Sequence, residues 1–261
     1  MPWWRKLATA IAALVVLWFV VLGVFGWIYA PTYGAHVTER VGDSIGATGT
    51  IDDTELSLMR GRVILDRLAV ARDDSVGKLT LTVDHVRCDI APFGWALVDS
   101  TCDTLAVRGV RLEASSGAVF HVNNPKRRPV HARAVVIDDA ELAFAPSALV
   151  PALGRIAITV EHAEAGETVF RTPLSWLFAL RVLRARFEVA GVTVRVTYDN
   201  GKLSAEGSLF GSKPVSVPVQ FPAASTLADA RAEIKALVDT GEDIGSQLVS
   251  KRATDWLRSK L

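Results

Sequence analysis

Gly42 to Gly46 reads Gly-Asp-Ser-Ile-Gly, the G-x-S-x-G spacing that presents a serine nucleophile in α/β-hydrolases. That chemistry needs a strand entering the serine and a helix leaving it, so that the hydroxyl stands at a strained turn. Here the order is inverted. Val37, Val41 and Ile45 recur every four residues before the turn, as a short helix ended by Gly46 and Gly49, and strand-like sequence follows. No βαβ pattern comes after it. Ser44 is therefore read as part of a Gly-rich connector, and the chain as a non-enzyme.

The other reactive residue types are equally scattered. His36, His85, His121, His131 and His162 show no zinc-ligand spacing, so neither a metal nor a cofactor is expected. Asp138, Asp139 and Glu141 read as a solvated acidic cluster. Pro125 to Pro129, PKRRP, reads as a solvated basic hairpin tip whose only plausible ligands would be anionic head groups or an acidic protein. With 29 basic and 28 acidic residues the net charge is +1, which gives no field for nucleic acid. Cys88 and Cys102 could form one bridge in an oxidising compartment. Strict strand alternation turns Cys88 inward and Cys102 the other way, and leaves the pairing open.

The elements that carry these residues are clearer. Leu7 to Tyr29 is 23 residues without a charge, long enough at about 1.5 Å per residue to cross a hydrocarbon core of about 30 Å. Arg5 and Lys6 precede it, no Lys or Arg follows until Arg40, and Trp3, Trp4, Trp27 and Tyr29 flank it. This predicts a single-pass anchor with a cytoplasmic N-terminus and the bulk of the chain on the other side. A cleaved signal peptide is the alternative; the apolar run is too long for one and ends without a small-x-small site. The expected organisation is an anchor over 1–30, one β domain over 31–223 and a helical segment over 224–261.

Within the β domain six segments share an eight-residue pattern, apolar at positions one, three, six and eight. The first supplies Val63, Leu65, Leu68 and Val70; the second Leu81, Val83, Val86 and the weaker Cys88. Leu105, Val107, Val110 and Leu112 form the third, and Val135, Ile137, Ala140 and Leu142 the fourth. Ile158 and Val160, with Ala163 and Ala165, form the fifth; Phe187, Val189, Val192 and Val194 the sixth. Their starts lie 18, 24, 30, 23 and 29 residues apart, a loose structural repeat. A strand alternates with period two, so the step of three between positions three and six needs a device at positions four and five. A β-bulge there would keep both apolar pairs on one face and bend the strand; a face switch at a sandwich corner is the alternative. Gly109 and Gly191, at position five, favour the bulge. His85 and His162 also fall at position five and suggest a structural polar slot.

Two helical interruptions are expected, Ala91–Asp99 (APFGWALVD) and Thr172–Leu183 (TPLSWLFALRVL), as lids or end plugs. Asn200-Gly201 marks a hairpin. In the tail Leu227, Ile234, Val238, Leu248 and Trp256 keep helical spacing, with Thr226 as N-cap, Asp229 as its capping partner and Gly241 and Gly245 as breaks between two helices.

The anchor followed by GTIDDTELSLMRGRVILDRLAV, LTVDHVRCDI and LAVRGVRLEA resembles the start of AsmA-like proteins of the Gram-negative envelope. Gly61, Val63, Leu65, Leu68 and Val70 match that family's opening strand pattern, and Val83, Asp84 and Val86 its short repeat. The likeness covers roughly residues 1 to 210 and includes no catalytic signature. It implies a mainly β fold: a membrane helix, then an antiparallel sheet curled into an apolar groove (a β-taco). It also implies an inner-membrane protein facing the periplasm that binds or moves phospholipid in outer-membrane homeostasis. Positions one, three, six and eight of the six segments would line the groove. The competing expectation is a structural module with a closed β core, whose C-terminal helix docks an envelope partner.

Overall fold

The structure is a computed structural model and describes residues 3–57, 60–74, 77–90, 101–115, 130–145, 156–172, 174–189, 191–207, 211–223, 227 and 229–258. The expected plug over Ala91–Asp99, the PKRRP loop and Thr226 lie outside these residues. Helix α1 runs unbroken from Trp3 to Ile45 through Pro31, so the anchor and the turn expected near Val37 are one element. Proline removes one backbone donor, but its cost does not end a helix held by packing on its far side. Here Gly34 lies against the Thr54 side chain, Thr38 against Gly49, and Val41 against the core. The helix ends as the sequence requires. Gly46 takes φ 65°, and the Ala47 N–H donates back to the Gly42 carbonyl at 2.9 Å, closing a Schellman turn.

Among the described residues thirteen strands follow: β1 (Thr48–Ser57), β2 (Arg62–Asp74), β3 (Gly77–Asp89), β4 (Thr101–Cys102), β5 (Thr104–Ser115), β6 (Val130–Ala132), β7 (Val135–Ala145), β8 (Ile156–Ala165), β9 (Thr168–Phe170), β10 (Leu180–Val189), β11 (Val192–Asp199), β12 (Lys202–Gly207) and β13 (Gly211–Pro218). Ten form one unclosed sheet in the order β1-β2-β3-β5-β7-β8-β10-β11-β12-β13; β4, β6 and β9 form a small second sheet. In the small sheet β4 and β6 are parallel, and in the large sheet the expected all-antiparallel pairing fails at one place: β5 and β7 are parallel. The order of elements explains it. Strands β2-β3-β5 and β7-β8-β10 repeat one arrangement, a three-stranded meander with a short strand of the second sheet before its last member, although β4 runs parallel to β6 and β9 antiparallel to it. Two such copies set side by side in the same sense must meet through parallel strands. Even the connection before each last strand repeats in sequence, as PFGWAL at 92–97 and PLSWLF at 173–178.

The register accounts for the three-residue step. Leu65 pairs with Val86 and Leu68 with Val83, while Arg67 and Asp84 between them stay unpaired. The same row is skipped between β3 and β5, β5 and β7, and β7 and β8, with no offset on either side. The expected one-residue bulge is thus mostly a register-neutral one, with a residue dropped from both partners at once. Arg67 (φ 54°), Gly109 (φ 67°) and Asp139 (φ 57°) reach it through the left-handed region, which turns two successive side chains to the same face. True offsets occur beside β10, between Leu180 and Val182 and between Arg184 and Ala185, and between β12 and β13, from Ala205 to Gly207. The skipped row crosses five adjacent strands, β2 to β8, in line. Strand β1 joins it unannounced by the sequence pattern, since Asp52 opposite Arg67 is also skipped.

The sixth segment is different. Val189 pairs with Val192, so its parity break is a two-residue hairpin turn, with Gly191 at φ 76°. A glycine between two strand pairs looks alike in both cases. The hairpin at Asn200-Gly201 is as expected, with φ 43° and 92°.

Gly109 gives a first test. Its φ is positive, and a Cβ there would overlap the Asp84 side chain on β3. Gly109→Ala is expected to lower stability by about 1–3 kcal/mol, read as a shift in the denaturant midpoint.

Two remaining expectations change. Thr172–Leu183 is not a helix: Ser175–Ala179 is a single 3-10 turn and the chain is strand from Leu180. The C-terminal helix α2, Ala230–Arg258, passes through Gly241 and Gly245 without a break. A helical glycine costs about 1 kcal/mol but removes no hydrogen bond, so it does not end the helix. Asp229 is the N-cap, its Oδ1 accepting from the Ala232 N–H at 2.9 Å.

Candidate functional site: one apolar face and its polar reverse

Because the skipped row is common, all four apolar positions align from strand to strand. Val63 lies opposite Cys88, Cys88 opposite Leu105, Leu105 beside Val135, Val135 opposite Ala165 and Ala165 opposite Leu180. At the other strand ends the row runs Val70, Leu81, Leu112, Leu142, Ile158, Phe187, Val194. The twenty residues expected to share one face are therefore brought to neighbouring rows of it.

Their burial is uneven. Val63, Leu65, Leu68, Val70, Val83, Val135, Ile137 and Val160 are buried. Val86, Leu105, Val107 and Val110 are half-buried between two apolar clusters. One cluster centres on β2 and β3 under Val41 of α1. The other centres on β7 to β13, with Trp176 and Leu177 of the 3-10 turn and Ile244 and Leu248 of α2. At the far strand ends Leu81 and Leu112 pack, partly buried, against the first cluster and Ile158 and Phe187 against the second, and Leu142, Val192 and Val194 in the same rows are also only partly buried. Arg72, 5% exposed, turns in beside this end, a buried cation that the apolar pattern did not foretell.

The opposite strand ends are tied down. Cys88 and Cys102 are bridged, with Cα atoms 5.4 Å apart and a sequence separation of 14. The alternation argument left this open because Cys102 belongs to β4, in the second sheet, and parity does not carry across Asp103. Cys102 and Ala132 of the small sheet are buried in the larger cluster. Nearby, Glu233 of α2 is fully buried. Its Oε2 accepts from Ser175 Oγ at 2.7 Å and Thr172 Oγ1 at 3.1 Å, and its Oε1 from Arg171 Nη1 at 3.1 Å. Every lone pair of this carboxylate that matters has a donor, which is what makes its burial tolerable. No periodicity marks it in the sequence.

The reverse face is polar. Asp53, Asp66, His85, Arg108, Asp138, His162 and Arg184 form one cross-strand row. The two position-five histidines do the same job in each copy of the unit: His85 Nδ1 lies 2.7 Å from Asp66 Oδ1, and His162 Nδ1 lies 2.6 Å from Asp138 Oδ1. They sit three strands apart and form no joint site. Glu164 adds a second contact to His162 at 3.0 Å. The hydrogen bond to Asp138, then that to Glu164, raises the His162 pKa above 6.5 against the opposing effect of burial. A raised folded-state pKa contributes stability that is complete below the unfolded value and fades as pH rises through the folded one. His162→Gln is therefore expected to lower the thermal midpoint at pH 6, with the difference from the parent shrinking at mildly alkaline pH.

Asp138, Asp139 and Glu141 do not converge on a cation, and among the described residues no three His, Cys, Asp or Glu side chains are grouped to hold a metal. Ser44 lies in the last turn of α1, with no strand before it, so the nucleophile-elbow geometry is not present. The chain matches no known family model and no curated protein.

Proposed function

We propose that this is a membrane-anchored carrier or acceptor of phospholipid acyl chains, non-catalytic and AsmA-like, held in the inner membrane by α1 with its sheet in the periplasm. The observation that carries the reading is the continuous apolar row Leu81, Leu112, Leu142, Ile158, Phe187 and Val194, each only partly buried. A sheet lined this thoroughly has to hide that face from water, and flexible acyl chains do so without demanding specific partners. The skipped row supports it, because a bend repeated in line across strands curls a sheet coherently into a groove. Ten strands span about 43 Å at about 4.8 Å spacing, enough for a lipid to lie across. Arg72 beside the row adds a positive charge near where a phosphate would rest. Helix α1, with one stretch apolar enough to cross a bilayer and its large side chains exposed, supports the anchor.

A second reading has an observation of its own. The small sheet, the 3-10 turn and α2 already cover the inner rows of β7 to β11, as in a structural module with a closed core. On that reading α2 serves its own sheet, and an envelope partner would meet only its remaining surface. Extraction of the full chain in mild detergent and native mass spectrometry separates the two. Phospholipid retained after delipidating washes is expected on the carrier reading; uniformly lipid-free protein that stays folded would overturn it.

A further inference from the structure

The packing of α1 fixes which end of the sheet meets the bilayer. The chain reverses at Gly46, so α1 and β1 run in opposite directions. Thr38 lies against Gly49 and Gly34 against Thr54. Going back along α1 toward its apolar part therefore means going forward along β1, toward Ser57 and the Arg62 end of β2. Beyond Gly34 come Tyr29, Ile28 and Trp27, all strongly exposed, Trp27 at 79%. The apolar stretch leaves the domain at that end and no other. This is also the end of the Cys88–Cys102 bridge, the small sheet and the 3-10 turn, whose Trp176, Leu177 and Phe178 are half-buried. Aromatic and apolar side chains of this kind settle at the head-group level of a bilayer. The partly buried apolar row lies at the far strand ends, beyond the skipped row, about 23 Å away at about 3.3 Å per residue.

We propose that the sheet stands with its bridged end on the phospholipid head groups and its partly buried apolar row turned away from the membrane. An acyl chain on that row is then presented outward, toward whatever lies across the compartment, and the bilayer-facing end is the covered one. This rests on α1 being a membrane span, and the orientation is a separate claim from lipid carriage.

The test uses the full chain in nanodiscs of phosphatidylethanolamine and phosphatidylglycerol carrying a small fraction of nickel-chelating lipid. With the native cysteines bridged, a single introduced cysteine takes a spin label selectively. Labels go at Arg60→Cys in the β1–β2 turn and Arg133→Cys beside the small sheet, both at the bridged end. A third goes at Lys78→Cys, at the far end. All three native side chains are exposed. Nickel at the head groups is expected to broaden the Arg60 and Arg133 labels several-fold more than the Lys78 label. Equal broadening at all three positions, or broadening of Lys78 alone, would overturn the orientation. Failure of the protein to co-elute with the discs would instead sink the membrane span beneath it, and neither result depends on whether a lipid occupies the apolar face.

Discussion

Val135→Asp is expected to unfold the domain, whereas Leu142→Asp on the same strand is expected to leave it folded and, on the carrier reading, to abolish lipid retention. The two positions share one face of β7 and differ in cover. Val135 is 2% exposed within the larger cluster, beside Leu105 and opposite Ala165. An unpaired carboxylate there either stays neutral at a cost of three to five pKa units, about 4–7 kcal/mol at neutral pH, or ionises at a greater one. That is most of the stability of an ordinary domain. Leu142 is only partly buried, so its replacement loses part of one side chain's burial, about 1–2 kcal/mol, and the charge keeps contact with water. Circular dichroism melts read the first effect and lipid retention the second. If both variants unfold alike, the far row is ordinary core and the carrier reading falls with it.

The second large effect comes from Glu233. Its carboxylate holds α2 to the 3-10 turn through Arg171, Thr172 and Ser175 and is wholly buried. Glu233→Ala leaves those donors, one of them a guanidinium, facing an apolar gap. Removing one partner of a buried charged pair typically costs about 3–5 kcal/mol, which for a domain of this size lowers the melting temperature by about 10 °C. Glu233→Gln keeps the shape and one acceptor oxygen, and should lose less. Hydrogen exchange should show Ala230 to Leu248 losing protection first in the alanine variant. A loss below about 1 kcal/mol would mean that apolar contacts at Ile244 and Leu248, not the carboxylate, hold the helix.

Much of this architecture could be read from spacing. The face shared by Val63, Leu65, Leu68 and Val70 and their counterparts was legible, since burial on one side of a strand leaves a period of two and any interruption of it stands out. What the interruption does in space was not. A one-residue bulge and a row dropped from both partners give the same string, and only the pairing of Leu65 with Val86 and Leu68 with Val83 tells them apart. FEVAGVTV fell to a related ambiguity, with a hairpin standing where a bend was expected. Strand β1 was expected as a strand but not as a member of the repeat, because Gly49 and Thr54 stand at two of its four apolar positions. The parallel join of β5 and β7 follows from a three-stranded meander repeated in the same sense, which six loosely spaced segments concealed.

The polar devices were less visible still. His85 and His162 were correctly singled out by their shared position, but their aspartate partners come from the neighbouring strand, and the pairing required the register. Glu233 and Arg171 are 62 residues apart and carry no pattern at all. Helix α2 was expected in two pieces because glycine lowers helix propensity; tertiary packing of its first turns outweighs two such residues.

The most direct test of the apolar face is photocrosslinking in the membrane of living cells. Benzoylphenylalanine placed at Leu142 faces the partly buried row; at Glu141, one residue earlier, it faces the polar reverse. After irradiation, mass spectrometry of the full-length protein should find phospholipid adducts at position 142 and few or none at 141. Adducts at neither position, or equally at both, would contradict the claim that this face receives lipid.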